Sequence, residues 1–290
     1  MISVLILTRN EELDLPGCLE SVAWSDDVHV FDSCSTDRTA EIALAAGAHL
    51  AARPFDNYAA QRNAALAGIA FKHEWVFILD ADERLNVGLY AEIKAATEIA
   101  PGDLDAYRVR RNDYFLGVWL KHAQIMPFYT RLVRPGKVRY VRSVNEVLEV
   151  DGRIGQLRLP FNHYPFSKGL ARWLDKHNQY STMEAQIVAG RGYLADASWK
   201  AALFARDFHQ RRRAQKAIFY CLPLRPLVRW AYIMFYRGAV LDGYTGWTYA
   251  MLQGMYEYLI VLKTRELLHQ GAVGELGLAA GDGKTAMGIV

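Results

Sequence analysis

A chain of 290 residues that is 52% hydrophobic and 22% charged can bury a sizeable core, and its length fits one large domain with an appendage or two smaller ones. Its 34 basic and 31 acidic residues leave a formal charge of only +3, which gives no support to a nucleic-acid partner. The three cysteines, Cys18, Cys34 and Cys221, are far apart and free of CxxC spacing, which argues against a disulfide framework or a zinc site and for a reducing compartment.

The apolar start, Met1 to Leu7, has no basic leader region or small-residue cleavage site and runs straight into Thr8-Arg9-Asn10-Glu11-Glu12, so it reads as a first strand. Helical spacing of Leu15, Cys18, Leu19 and Val22 follows, then a strand over Val28 to Phe31. Ser35-Thr36-Asp37 are good cap residues for an Ala-rich helix that Gly47 closes. A helix through Tyr58 to Ala70 and a strand from Trp75 to Leu79 complete a βαβ rhythm. Such alternation predicts an α/β fold with a parallel sheet, whose ligands sit at the carboxyl ends of its strands. Polar clusters stand at those ends: Thr8 to Glu11, Asp32 and Ser33, and Asp80-Ala81-Asp82.

From Ala106 to Leu159 the pattern becomes strand-like, with Tyr107 to Val109, Tyr129 to Val133, Val138 to Val141 and Val144 to Val150 punctuated by Pro135-Gly136 and Asp151-Gly152. This predicts an antiparallel addition to the sheet. After Ser167 a helical period returns and persists to Leu268, and Gly271 to Val290 is rich in Gly and Ala without periodicity, as in a flexible tail. The predicted division is therefore 1–166, 167–268 and a tail over 269–290. The apolar stretches Ala217 to Tyr236 and Tyr244 to Leu262 are broken by Arg225, Arg229, Pro223 and Pro226, and by Gln253 and Glu257, so neither reads as a membrane span.

Asp80 and Asp82 lie two apart at a strand end, where residues i and i+2 point to one side, so both carboxylates can approach one ligand such as a divalent cation. Alternatively Asp82 caps the next helix. Four clusters in order, Thr8-Arg9-Asn10-Glu11, Asp32-Ser33-Cys34-Ser35-Thr36-Asp37, Gln61-Arg62-Asn63 and Asp80-Ala81-Asp82, make the chain resemble the family-2 glycosyltransferases of GT-A fold over Ile2 to Leu85. Looser matches at Ser143-Val144-Asn145-Glu146, Asn162-His163-Tyr164, Lys176-His177-Asn178-Gln179-Tyr180 and Gly238 to Gly243 resemble the subgroup of lipopolysaccharide inner-core glucosyltransferases.

That resemblance implies a nucleotide-sugar donor, UDP-linked by preference, held by Thr8, Arg9, Asn10, Glu11, Asp32, Ser33, Arg62, Asp80 and Ala81. Within this set Thr8, Asn10, Glu11 and Asp32 surround base and ribose, and Arg62 meets the diphosphate. It implies Mg²⁺ or Mn²⁺ at Asp80 and Asp82, and Glu146 as the base that deprotonates the acceptor, with Glu149, Asp113 and Asp151 as competitors. The residue chemistry agrees, since an imide and ribose hydroxyls need acceptors and a diphosphate favours a guanidinium. His163 and Lys176 are candidates for acceptor or phosphate contacts.

The basic run Arg206, His209, Arg211, Arg212, Arg213 and Lys216, followed at once by aromatic residues, suits an anionic bilayer surface. The expectation is a peripheral enzyme at the cytoplasmic face of the inner membrane that glycosylates a hydroxyl of a glycolipid or lipid-linked saccharide, with no nucleic-acid partner. Transfer to a polyprenyl phosphate, or nucleotide-sugar binding without turnover, are the alternatives.

Overall fold

A computed structural model describes residues 1–141, 147–205 and 207–281, and the chain divides into two compact units, Met1–Gly169 and Leu170–Val290. The first unit opens with β1 (Ser3–Thr8), α1 (Leu15–Ser21), β2 (Val28–Asp32), α2 (Thr39–Ala45), β3 (His49–Ala52), α3 (Tyr58–Gly68) and β4 (Val76–Asp80). β1 is flanked by β2 and β4 and parallel to both, and β3 extends the parallel set beyond β2. Successive strand residues face opposite ways. Val4, Ile6, Phe77 and Leu79 therefore enter one core with Leu15 and Cys18 of α1, while Leu5, Val76 and Ile78 enter the other with Ala59, Ala65 and Leu66 of α3. Burial on both faces is why these strands read as unbroken apolar runs.

The helix signals act mostly as expected. Gly47 takes the left-handed conformation (φ 75°) just after α2, and Asn57 caps α3 by accepting from Ala60 N. Ser35, Thr36 and Asp37 differ: α2 begins one residue later, behind Arg38, which makes no side-chain cap. Ser35 Oγ accepts from Asn10 N and Asp37 Oδ2 from Glu12 N, which ties the loop after β2 to the loop after β1, while Asp37 Oδ1 also accepts from Thr39 N, the first amide of α2.

The unit continues with β5 (Glu83–Arg84), α4 (Val87–Glu98), β6 (Leu104–Phe115), β7 (Val118–Trp119), β8 (Phe128–Val133), β9 (Val138–Val141), β10 (Val147–Val150), β11 (Arg153–Gln156) and β12 (Phe161–His163). The sheet runs β3-β2-β1-β4-β8-β6-β12-β5, with β8 antiparallel to both β4 and β6. The expected antiparallel addition is thus present in β8 and β6, and in the separate β9–β10 pair. β11 and β12 depart from it by running parallel to β6, because the chain turns back after β8 and re-enters beside β6 in the same direction. That return sets His163 opposite Asp113 on one side and Glu83 on the other.

The second unit is helical: α5 (Gly169–Ala189), α6 (Trp199–Phe204), α7 (Phe208–Cys221), α8 (Arg225–Ala231), a π-helical turn over Tyr232–Tyr236, a 3-10 turn over Ala239–Asp242, and α9 (Gly243–Gly281). A Cβ on Gly246 would lie 2.1 Å from Ala239 O, so only glycine lets α9 approach the preceding turn this closely. α9 continues past Leu268, where the apolar period stops. Once a helix is nucleated, each further residue adds a hydrogen bond, and an interior Gly costs only about 1 kcal/mol against Ala. Among the described residues no helix is long and apolar enough to cross a membrane.

Candidate active site

Parallel register brings the strand ends together: Thr8 pairs with Asp32, and Leu7 with Asp80. Thr8 Oγ1 donates to Asp32 Oδ1 at 2.7 Å, and Asp32 Oδ2 accepts from Ser35 N at 2.7 Å. Asn10 Oδ1 accepts from Thr36 N at 2.8 Å, Glu11 N donates to Thr39 Oγ1 at 2.8 Å, and Glu12 N donates to Asp37 Oδ2 at 3.1 Å. Asn10 and Cys34 both adopt left-handed φ (55° and 57°), which folds the two loops back on each other. Ser33 Oγ accepts from Gln61 Nε2 at 3.0 Å, so α3 is laced into the same cluster.

Glu11 is the least satisfied member. Its Oε1 accepts from Lys168 Nζ at 2.6 Å, and the same ammonium donates to Asn10 O at 2.9 Å. Its Oε2 is buried with no hydrogen-bond partner. Burial pushes the Glu11 carboxyl up to about 7, against the pull of Lys168 and with the help of Asp82 and Asp14. A buried acceptor left unpaired costs about 1–3 kcal/mol, which a ligand N–H or O–H at Oε2 would remove.

Asp80 is held by two guanidiniums. Arg62 Nη2 donates to its Oδ1 at 2.8 Å and Arg131 Nη2 to its Oδ2 at 3.0 Å. Burial opposes ionisation there, but the two arginines outweigh it and hold the carboxyl well below the usual carboxylate range. Arg131 also donates to Glu83 Oε1 at 2.6 Å, and Glu83 Oε2 accepts from Asp80 N at 2.9 Å. Complete burial pushes Glu83 up to about 7 despite Arg131. The Arg62 guanidinium lies 5.4 Å over the Tyr140 ring.

Asp82 has different surroundings. It is not the helix cap, because Asn86 caps α4 by accepting from Leu89 N. Its Oδ2 lies 3.2 Å from His163 Nε2, and His163 Nδ1 lies 2.5 Å from Oδ1 of the buried Asp113, which Arg111 Nε also approaches at 3.0 Å. Burial disfavours the imidazolium, but Asp113 and Asp82 together push His163 up to about 9. Among the described residues no group of three or more His, Cys, Asp or Glu is arranged to hold a metal. Asp80 and Asp82 thus have separate partners. A divalent cation that keeps its waters and phosphate ligands needs only one or two carboxylates. Both side chains are partly exposed, Asp80 36% and Asp82 32%; Asp80 is paired with arginines through both oxygens and Asp82 with His163 through one.

The other expected residues lie as follows. Arg9 is exposed, with its guanidinium 5.2 Å over Phe55, and Ala81 is buried, its carbonyl accepting from Arg84 Nη1 at 2.8 Å. Lys176 belongs to the second unit, where its exposed amine lies 5.7 Å over the Tyr180 ring. Glu146 is outside the described residues; of its competitors, Glu149 and Asp151 are exposed and Asp113 is buried against His163. Sequence reasoning did not single out Glu83, Arg131 or Lys168. Arg131 carried a signal, a lone charge inside the apolar run Tyr129 to Val133, which predicts a buried acidic partner.

A mixed α/β sheet whose parallel strand ends gather acceptors and guanidiniums has the layout of a nucleotide-binding site. Residues 3–147 match the model of glycosyl transferase family 2, and the chain belongs to that family: it is a glycosyltransferase of Rossmann-like GT-A fold. It is 27% identical to the lipopolysaccharide core biosynthesis glycosyltransferase LpsC of Rhizobium meliloti, over 90% of this chain and 91% of that one. It is 30% identical to an uncharacterized glycosyltransferase, RC0292, of Rickettsia conorii, over 66% of this chain and 71% of the relative. Among solved structures, glucosyl-3-phosphoglycerate synthase from Mycobacterium tuberculosis with Mn²⁺, uridine diphosphate and glucosyl-3-phosphoglycerate shares 20% identity and a TM-score of 0.33, covering 39% of this chain and 44% of that one.

Proposed function

We propose that the chain transfers a sugar, with inversion, from a UDP-linked donor to a hydroxyl of a glycolipid or lipid-linked saccharide in lipopolysaccharide or related envelope polysaccharide synthesis. The observation that carries the donor assignment is Glu11 Oε2, a buried and unpartnered acceptor among the strand-end loops. A uracil imide or a ribose hydroxyl supplies the donor it lacks. The acceptor assignment draws support from similarity along nearly the whole chain to a protein named for lipopolysaccharide core biosynthesis.

In this reading Thr8, Asn10, Glu11 and Asp32 orient the nucleoside, and Arg62, anchored on Asp80, presents its guanidinium to the diphosphate. Glu83 and Arg131 fix Asp80, so that the arginine cluster is ordered before the donor arrives. Asp82 would hold Mg²⁺ or Mn²⁺, which supplies charge neutralisation for the leaving diphosphate. The acceptor oxygen attacks the anomeric carbon, the bond from that carbon to the diphosphate oxygen breaks, and the acceptor's proton passes to a carboxylate. The family resemblance assigns that last role to Glu146. The helical part after Ser167 rests on the cytoplasmic face of the inner membrane.

A panel of nucleotide sugars tested for thermal stabilisation, with and without Mn²⁺, checks the donor assignment. UDP and UDP-sugars should raise the melting temperature of the wild type and not of Glu11→Ala. Stabilisation by adenine or guanine nucleotides alone would overturn the uridine assignment.

A further inference from the structure

Between residues 222 and 252 the second unit keeps its charged residues buried or half-buried. The segment contains Arg225, Arg229, Arg237 and Asp242, and all four are at least partly withdrawn: Arg225 is 5% exposed with its Nε 3.3 Å from Glu257 Oε1, and Arg229 reaches Gln253 Oε1 at 3.4 Å. What faces outward is apolar or aromatic, led by Leu224 (72% exposed), Leu227 (61%), Phe235 (68%), Tyr236 (81%), Leu241 (71%) and Tyr244 (74%). These residues come from the N-terminal flank of α8, α8 itself, the π-helical turn, the 3-10 turn and the start of α9, elements that pack on one another. A soluble surface rarely exposes so many large apolar groups beside charges that are themselves half-buried.

Charge identifies the occupant. From Leu170 onward the chain holds 15 Lys and Arg against 9 Asp and Glu, while the preceding residues hold 19 against 22. α7, immediately before the apolar segment, exposes Arg212, Arg213 and Lys216. A cationic helix leading into a predominantly apolar, Tyr- and Trp-bearing surface matches the two layers of an anionic bilayer, phosphate above and acyl chains below. A second copy would instead set two cationic units against each other. With no described helix fit to cross the bilayer, this surface lies in the interface without spanning it.

We propose that the face formed by Leu224, Leu227, Phe235, Tyr236, Leu241 and Tyr244 inserts into the headgroup–acyl boundary of an anionic phospholipid bilayer and anchors the enzyme as a monotopic protein. This rests on the lipid-linked acceptor reading above and adds to it an apolar anchor, so that attachment is only partly electrostatic.

The test is flotation of the full chain with phosphatidylglycerol/phosphatidylethanolamine vesicles and with phosphatidylcholine vesicles, at low and high salt. The wild type should float with the anionic vesicles and remain partly bound at high salt. The triple variant Phe235→Ser, Tyr236→Ser, Leu241→Ser should partition at least about 100-fold more weakly, given that each side chain loses most of its burial in lipid. Its hydrolysis of a soluble UDP-sugar should be unchanged. Independently of that variant, brominated lipid should quench wild-type tryptophan fluorescence, and because Trp247 near the start of α9 is 46% exposed, Trp247→Phe should be quenched less. The proposal is overturned if the wild type stays with the aqueous fraction, if the triple variant floats like the wild type, or if sedimentation shows a dimer that the triple variant dissociates while neither protein binds vesicles. Vesicle binding without turnover of any nucleotide sugar would leave the anchor standing and defeat the catalytic reading instead.

Discussion

Arg131 and Asp80 meet at 3.0 Å across β8 and β4, two strands that otherwise contribute apolar side chains to the core. The same guanidinium pairs with Glu83, whose side chain is 1% exposed, so Arg131 serves a fully buried carboxylate as well as Asp80, which it shares with Arg62.

Replacing Arg131 by Met should therefore destabilise the fold by about 3–5 kcal/mol, the usual cost of stranding a buried charge. Adding Glu83→Met should recover a large part of that loss, because the uncompensated carboxylate is then gone. Urea denaturation of the wild type, both single variants and the double variant gives the coupling. A double variant no more stable than Arg131→Met would show that the Glu83 pair does not matter to stability.

Glu11 predicts a pH dependence. Its folded pKa of about 7 lies above its ordinary 4.5, so between those values the folded state holds the extra proton. Its contribution to stability is therefore full at low pH and declines as pH rises from 4.5 through 7, and Glu11→Gln should flatten that slope. Hydrogen bonds from a nucleoside favour the carboxylate, so UDP binding near pH 6 should release protons in the wild type and fewer in Glu11→Gln. Calorimetry in buffers of different ionisation enthalpy measures the difference.

Much of this site was legible in the sequence because it is local. Thr8, Asp32 and Asp80 each end an apolar run, and period and position alone place strand ends in a parallel sheet. The unread part was non-local. Glu83 and Arg131 are 48 residues apart, and His163 reaches Asp113 across 50, so no spacing rule connects them. The three-residue strand β12 is too short to show a period, yet it determines which partner Asp82 receives. Ser35 and Thr36 lace loops where a cap was expected, and Asp37 does both, because cap residues and loop-lacing residues share one chemistry, acceptors near free backbone N–H groups.

Asp113→Asn should lower the pKa of His163 from about 9 toward its ordinary 6.5, because the carboxylate that stabilises the imidazolium is lost. Titration of the imidazole resonances by NMR reads this directly. A midpoint unchanged in Asp113→Asn would place the stabilisation on Asp82 alone.

Asp82→Ala should abolish turnover and the metal-dependent part of donor binding with little change in unfolding free energy, since the side chain is partly exposed and outside both apolar cores. Thermal shift with UDP, with and without Mn²⁺, separates the two effects. If Mn²⁺ still strengthens UDP binding in this variant, the cation is held elsewhere.

Glu146→Gln distinguishes the possible acceptors. A hydroxyl nucleophile must lose its proton during attack, and a positioned base typically contributes about 10² to 10⁴ in rate, so kcat should fall by that factor while UDP-sugar affinity stays near wild type. A polyprenyl phosphate is already ionised and gains nothing from a base, so transfer to it should survive the substitution. The competing carboxylates give the control: Glu149 and Asp151 are exposed on or beside β10, and their amide variants should leave kcat within about 2-fold, as surface substitutions usually do. Should the donor affinity of Glu146→Gln collapse instead, Glu146 belongs with the nucleotide-binding residues, and the proton acceptor must be sought among the remaining carboxylates.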